Sequence, residues 1–208
     1  MKLSIYIFSL LIFFSLNCKK QPFFSLGNHT ENQIIAFQPL DDFNMLEIDP
    51  VITEISLFYK KRVIVLKPIN IPASFLNLEI QKYSADSIVM FLSKLQNDTI
   101  AEIIGLTNKP IFTIKDANNV PYYDEKIFGM GFQPGNSCVV SDYRFRTPNT
   151  IVFNNFLRNV IIHEVGHNLG LPHCKDIKCI MSTNTGDIGK LNNSNNTYCK
   201  KCKKTIKH

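Results

Sequence analysis

The stretch His163-Glu164-Val165-Gly166-His167-Asn168-Leu169-Gly170-Leu171-Pro172-His173 constrains this chain more than any other, and it reads HExxHxxGxxH. On a helix, His163 and His167 lie one turn apart on one face, so both imidazoles reach one metal ion, with Glu164 beside it to handle a proton. Gly170 stops the helix, because a residue without Cβ takes the left-handed conformation that reverses the chain, and Pro172 keeps the helix from restarting. His173 then swings back as a third ligand. Three neutral imidazoles leave one tetrahedral position of a zinc ion open, which a catalytic site needs and a structural site lacks. A bare HExxH competes with the reading of two polar residues on an amphipathic helix. The third histidine, the glycine and the turn weaken that competitor.

Such a helix needs a domain to hold it. The chain has 208 residues, 45% hydrophobic and 19% charged, enough for one globular domain with a real core. Its net charge of +6 owes much to Lys200, Lys201, Lys203, Lys204 and Lys207. No nucleic-acid motif accompanies that run, which reads as a solvated tail, so nucleic acid is not an expected partner.

Residues 1–17 read as a signal peptide of lipoprotein type. Lys2 gives a positive start, and Leu3 to Leu16 form an apolar run too short to span a bilayer. Ser15-Leu16-Asn17-Cys18 ends the run, and Cys18 is the expected lipidation site. The lipobox match is loose, at Ser15 and Asn17, which leaves a plain secretory signal or an uncleaved anchor as alternatives. The expected location is the cell envelope of a bacterium, anchored by lipid and facing the periplasm or the surface. Residues 18–32 read as a tether, and residues 33–208 as the domain.

Within the domain, Ile34–Leu40 is an expected strand, followed by an amphipathic helix over Asp49–Lys61 with Val51, Ile55 and Phe58 on one face. Arg62–Lys67 is a β-branched run ended by Pro68. Ser84 caps a helix running to Leu95. Ile100–Leu106 and Pro110–Ile114 read as strand pieces, although Ala101-Glu102 interrupts the first. The order is β-α-β-α-β, an α/β (α+β) domain with a mostly parallel sheet. Between Phe128 and Arg146, two short strand-like runs flank Pro134-Gly135-Asn136. They form an expected edge hairpin, where an extended peptide could add as a strand. Pro148-Asn149 and Asn154-Asn155 both signal the start of the long helix.

Four cysteines follow His173. The pairs Cys174/Cys179 and Cys199/Cys202 have the spacing of a closed four-thiolate zinc site, although an oxidising compartment would also allow two disulfides. Cys138 is left over as a small buried hydrophobe.

HEVGHNLGLPHC, four residues, CIM, seventeen residues and CKKC together resemble the full signature of the archaemetzincins, zinc metallopeptidases of the metzincin clan. The resemblance implies a compact zincin-like fold with a mixed, mostly parallel twisted sheet, an antiparallel edge strand and a small zinc-stapled C-terminal subdomain. It implies two zinc ions: a catalytic one on His163, His167 and His173, and a structural one on Cys174, Cys179, Cys199 and Cys202. Glu164 is then the general base, and Met181 the Met-turn under the site. Peptides or proteins are the implied substrates, with aminopeptidase-like action, and the chain is expected to be a monomer. The family is otherwise intracellular in character, so the export signal is a departure. A surface-anchored zinc-binding lipoprotein without turnover is the contrary reading. Tyr143, Arg144 and Arg146 are guesses for an oxyanion partner, and Asp116, Asp124 and Asp142 for a group that binds a free amine.

Overall fold

A computed structural model describes residues 33–182 and 196–206. The expected signal peptide, Cys18 and the tether lie outside the described residues. No helix among those described is long and apolar enough to cross a membrane.

The main sheet has five strands: β1 (Ile34–Pro39), β2 (Val63–Val65), β5 (Ile100–Thr107), β8 (Gly129–Gly131) and β9 (Ser137–Ser141). Their order is β2-β1-β5-β9-β8. β1 pairs parallel with β2 and β5, and β5 parallel with β9, whereas β8 runs antiparallel to β9 at the edge. This is the expected mixed sheet with an antiparallel edge strand.

Helices cover both faces, which is why β1 and β5 are buried along their whole length. Alternate residues of each strand point to opposite sides. Ile35, Phe37, Ile104, Cys138 and Val140 pack with helix α1 (Asp49–Tyr59) and helix α3 (Thr150–Asn168). Ile34, Ala36, Ile103 and Val139 pack on the other side with helix α2 (Ala85–Ser93). Cys138 is a buried small hydrophobe, as its surroundings require.

Local signals set the helix ends. Ser84 Oγ accepts from the Ser87 N–H to start α2, and Asn149 Oδ1 accepts from the Val152 N–H to start α3. Asn154 and Asn155, the other start signal, lie inside α3. Lys60 closes α1 in the left-handed conformation, one residue before the expected end.

Pro110–Ile114 departs from the expected arrangement. β9 takes the place beside β5, and the strand over this segment, β6 (Ile111–Ala117), turns into a second sheet. That sheet has the order β3-β4-β6-β7, with β3 (Leu76–Asn77), β4 (Lys82–Ser84) and β7 (Val120–Asp124). β6 and β7 form a hairpin whose far half is exposed. The C-terminal lysine run is partly helical: α4 (Lys200–Ile206) buries Cys202 and Ile206 and turns its other residues outward.

Candidate active site

Helix α3 carries His163 and His167 one turn apart, and the chain reverses after it through Gly170, whose φ is +84°. The Leu171 N–H donates to the Gly166 carbonyl at 2.9 Å, which locks the reversal. His173 is thereby returned to the helix. The ligand atoms of His163, His167 and His173 lie within 4.8 Å of one another.

Two rings are fixed from behind. His163 Nδ1 donates to the Ile180 carbonyl at 2.7 Å and His167 Nδ1 to the Leu171 carbonyl at 2.9 Å. A carbonyl only accepts, so each Nδ1 holds the proton and each Nε2 presents its lone pair. The two Nε2 atoms are 3.2 Å apart. Nitrogens at two corners of a zinc tetrahedron stand about 3.3 Å apart, given the usual zinc–nitrogen bond length. Burial pushes His163 down to about 3 and His167 down to about 4, helped in each case by a neighbouring histidine. Burial and the charge of Lys115 lower His173. The rings are therefore neutral at neutral pH, the form that binds a metal. The donor set fits a zinc ion.

Glu164 is buried and faces the same cleft, a cavity of about 180 Å³ lined by the three histidines, Gly129, Met130 and Gly131 of β8, and Thr113 and Lys115 of β6. A Cβ on Gly129 would stand 2.8 Å from Glu164 Cγ, so the edge strand approaches the carboxyl only because it lacks side chains there. Burial raises the Glu164 carboxyl to about 8, opposed by a hydrogen bond from the Gly131 N–H.

The second cluster lies just beyond His173. The sulfurs of Cys174, Cys179, Cys199 and Cys202 converge, with Cys174 to Cys199 and Cys179 to Cys202 both at 3.8 Å. That is nearly twice a disulfide bond and matches the roughly 3.8 Å edge of a four-thiolate zinc tetrahedron. All four cysteines are free thiols, so the disulfide alternative is not what this fold contains.

The two clusters are joined by short covalent and hydrogen-bonded paths. Ile180, whose carbonyl holds His163, sits between Cys179 and Met181, and its N–H donates to the Thr197 carbonyl. Tyr198, next to Cys199, donates to the Ile162 carbonyl of α3 and meets the Tyr59 hydroxyl at 2.9 Å. Met181 is fully buried against Gly166, where a Cβ would collide with its sulfur.

Several sequence guesses fall elsewhere. Tyr143, Arg144 and Arg146 do not line the cleft. Arg144 donates to the Lys126 carbonyl and stacks on Phe128, while Arg146 binds Asp142 at 3.0 Å. Asp124 is paired with Lys115, and none of Asp116, Asp124 and Asp142 lines the cleft. Sequence reasoning missed Lys115 and the glycines of β8, although the run Gly129-Met130-Gly131 within an expected edge hairpin was a usable signal. It also missed Glu102, fully buried on β5, whose Oε2 accepts from Asn168 Nδ2 at 2.8 Å at the end of the motif helix.

Comparison with known proteins agrees with this geometry. The chain is 30% identical to the archaemetzincin of Halobacterium salinarum over 89 residues, 38% of this chain and 51% of that one, so it spans about half the length of that relative. It is 28% identical to the archaemetzincin of Methanocaldococcus jannaschii over 185 residues, covering 83% of this chain and 92% of the relative. The fold matches the crystal structure of the Archaeoglobus fulgidus archaemetzincin complexed with malonate, with a TM-score of 0.68 and 21% identity over 83% of this chain and 99% of that one. The family model described as Peptidase family M54 matches residues 23–208. With the signature, the fold and the family match over residues 23–208 in agreement, the chain belongs to peptidase family M54, alongside the archaemetzincins.

Proposed function

We propose that this chain is a zinc-dependent metallopeptidase, a hydrolase that cleaves peptide bonds, with His163, His167 and His173 as ligands of the catalytic ion and Glu164 as general base. The observation that carries the proposal is the placement of one buried carboxyl, Glu164, in the same small cleft as three imidazoles with converging donor atoms. A zinc ion in that donor set would supply Lewis acidity, polarising a carbonyl and making water easier to deprotonate. Beside that positive charge the ionised form of Glu164 would be favoured, and its carboxyl oxygen would take the proton and hand it to the leaving amine. The Gly131 N–H favours the ionised form of that carboxyl. β8 is the sheet edge and lines the cleft, so an extended peptide can pair with it and be presented to Glu164. An intact Glu164 also favours turnover over the non-catalytic zinc-binding reading, which has no use for this carboxylate.

Within the same proposal, Cys174, Cys179, Cys199 and Cys202 hold a second, structural zinc ion, for two per chain, and Met181 supports the motif helix from below. The action is aminopeptidase-like on peptides, as the family resemblance implies. The protein is a monomer, begins at a lipidated Cys18 after removal of residues 1–17, and is tethered by residues 18–32 to the cell envelope, with residues 33–208 as the working domain.

The test is cleavage of a peptide library by the purified domain before mild chelation, after it, and after zinc is added back. Activity that disappears and returns, with the cleavage sites mapped to the N-terminal end of the peptides, supports the proposal. Cleavage indifferent to chelation would overturn it.

A further inference from the structure

The β6–β7 hairpin brings a cation to the cleft that the mechanism above does not use. Ile111, Phe112 and Thr113 of β6 are buried, but Ile114 to Ala117 emerge into solvent and return through Asn118-Asn119, both in the left-handed conformation with φ of +56° and +63°. That pair of residues makes the tight two-residue turn suited to a hairpin. The register pairs Thr113 with Asp124 and Lys115 with Tyr122, and directly paired residues share a face. Thr113 and Lys115 line the cleft, so this face of the hairpin is one of its walls.

Lys115 is the one cationic side chain lining the cleft among the described residues. Its side chain is half exposed and ion-paired with Asp124, whose other carboxyl oxygen accepts from the Lys126 N–H at 3.0 Å. Asp124 does not itself line the cleft, and its carboxylate ties the ammonium to the hairpin. Lysine has three donors, and Asp124 accepts from one of them. Lys115 lines the same cleft as His173.

We propose that Lys115 determines specificity by binding a carboxylate of the peptide substrate, so that peptides with an anionic group beside the scissile bond are preferred. This rests on the metallopeptidase reading above. An acidic side chain and the C-terminus of a short peptide offer the same chemistry, and the experiment distinguishes them. Lys82 is paired to Glu125 and does not line the cleft, so Lys115, tied to Asp124 through one of its donors, is the cation placed to meet a ligand there.

Binding can be measured by calorimetry on zinc-loaded Glu164→Gln protein with three peptides of one length: one with an internal Glu and an amidated C-terminus, one with Gln in its place and an amidated C-terminus, and one with Gln and a free C-terminus. One of the two carboxylate peptides should bind about 3- to 10-fold tighter than the uncharged one, and which one it is names the source. Lys115→Met should remove that advantage while leaving the uncharged peptide unchanged, Lys115→Arg should keep it, and Asp124→Asn should enlarge it. Equal affinity for all three peptides would overturn the proposal. So would an equal loss for all three in Lys115→Met, which would place Lys115 at the reacting carbonyl or in the fold. If no peptide binds at all, the metallopeptidase reading fails first and this one with it.

Discussion

Gly166 meets the sulfur of Met181 through bare backbone: a Cβ at position 166 would collide with Met181 Sδ and stand 3.1 Å from Tyr198 Cε1. The motif helix is thus seated on the turn below it by the absence of a side chain. Gly166→Ala should therefore cost about 1–3 kcal/mol despite the better helix propensity of alanine, because the packed interior must give way. Combining it with Met181→Ala should cost less than the two single changes added together, as measured by denaturant unfolding in a double-mutant cycle.

The coupling between the two clusters makes a second prediction. Cys199→Ser should remove one zinc per chain and lower the melting temperature, since binding energy at a four-thiolate site is folding energy. It should also weaken zinc binding at the histidines by about 10-fold or more, because the Ile180 carbonyl that orients His163 lies between Cys179 and Met181. Metal analysis after graded chelation checks both effects. An intact two-zinc protein with an unchanged melting temperature would contradict them.

Burial raises the Glu102 carboxyl to about 8 from its ordinary 4.5, and the hydrogen bond from Asn168 only partly opposes this. Between those values the folded protein holds a proton that the unfolded chain releases. Stability is therefore intact below pH 4.5 and falls as the pH rises through 8, by an amount on the order of a few kcal/mol. Among the described residues, neither Glu102 Oε1 nor Asn168 Oδ1 has a hydrogen-bond partner. Glu102→Gln should flatten this part of the stability profile, whereas Glu102→Ala should cost about 2–4 kcal/mol at every pH. Thermal melts from pH 4 to pH 9 read this directly.

At the other end of the chain, Cys18→Ser should abolish lipid labelling and release the protein from the membrane fraction. If the variant stays bound to membranes, the apolar stretch before it is an uncleaved anchor.

Much of this arrangement was legible because its signals are local. The helix stop at Gly170, the cap at Ser84, the edge hairpin about Pro134-Gly135-Asn136 and both metal clusters depend on short spacings. What could not be read depends on partners distant in the chain. Ala101-Glu102 is unlike a strand in composition, and Glu102, on the α3 face of β5 with Ile104 and Leu106, is accounted for only by Asn168, which is distant in the chain. The expectation of one mostly parallel sheet misses the second sheet built on β6, because nothing within β6 records that β9 takes the place beside β5. Lys115 was invisible as a site residue for the same reason, since only the hairpin carries it to the cleft.

The most direct test of the account is Glu164→Gln, assayed together for zinc content and for peptide cleavage. Glu164 handles a proton without being a ligand, so the variant should keep the zinc content of the unaltered protein and lose cleavage by at least about 100-fold. Loss of the histidine-bound zinc, or cleavage at an undiminished rate, would contradict it.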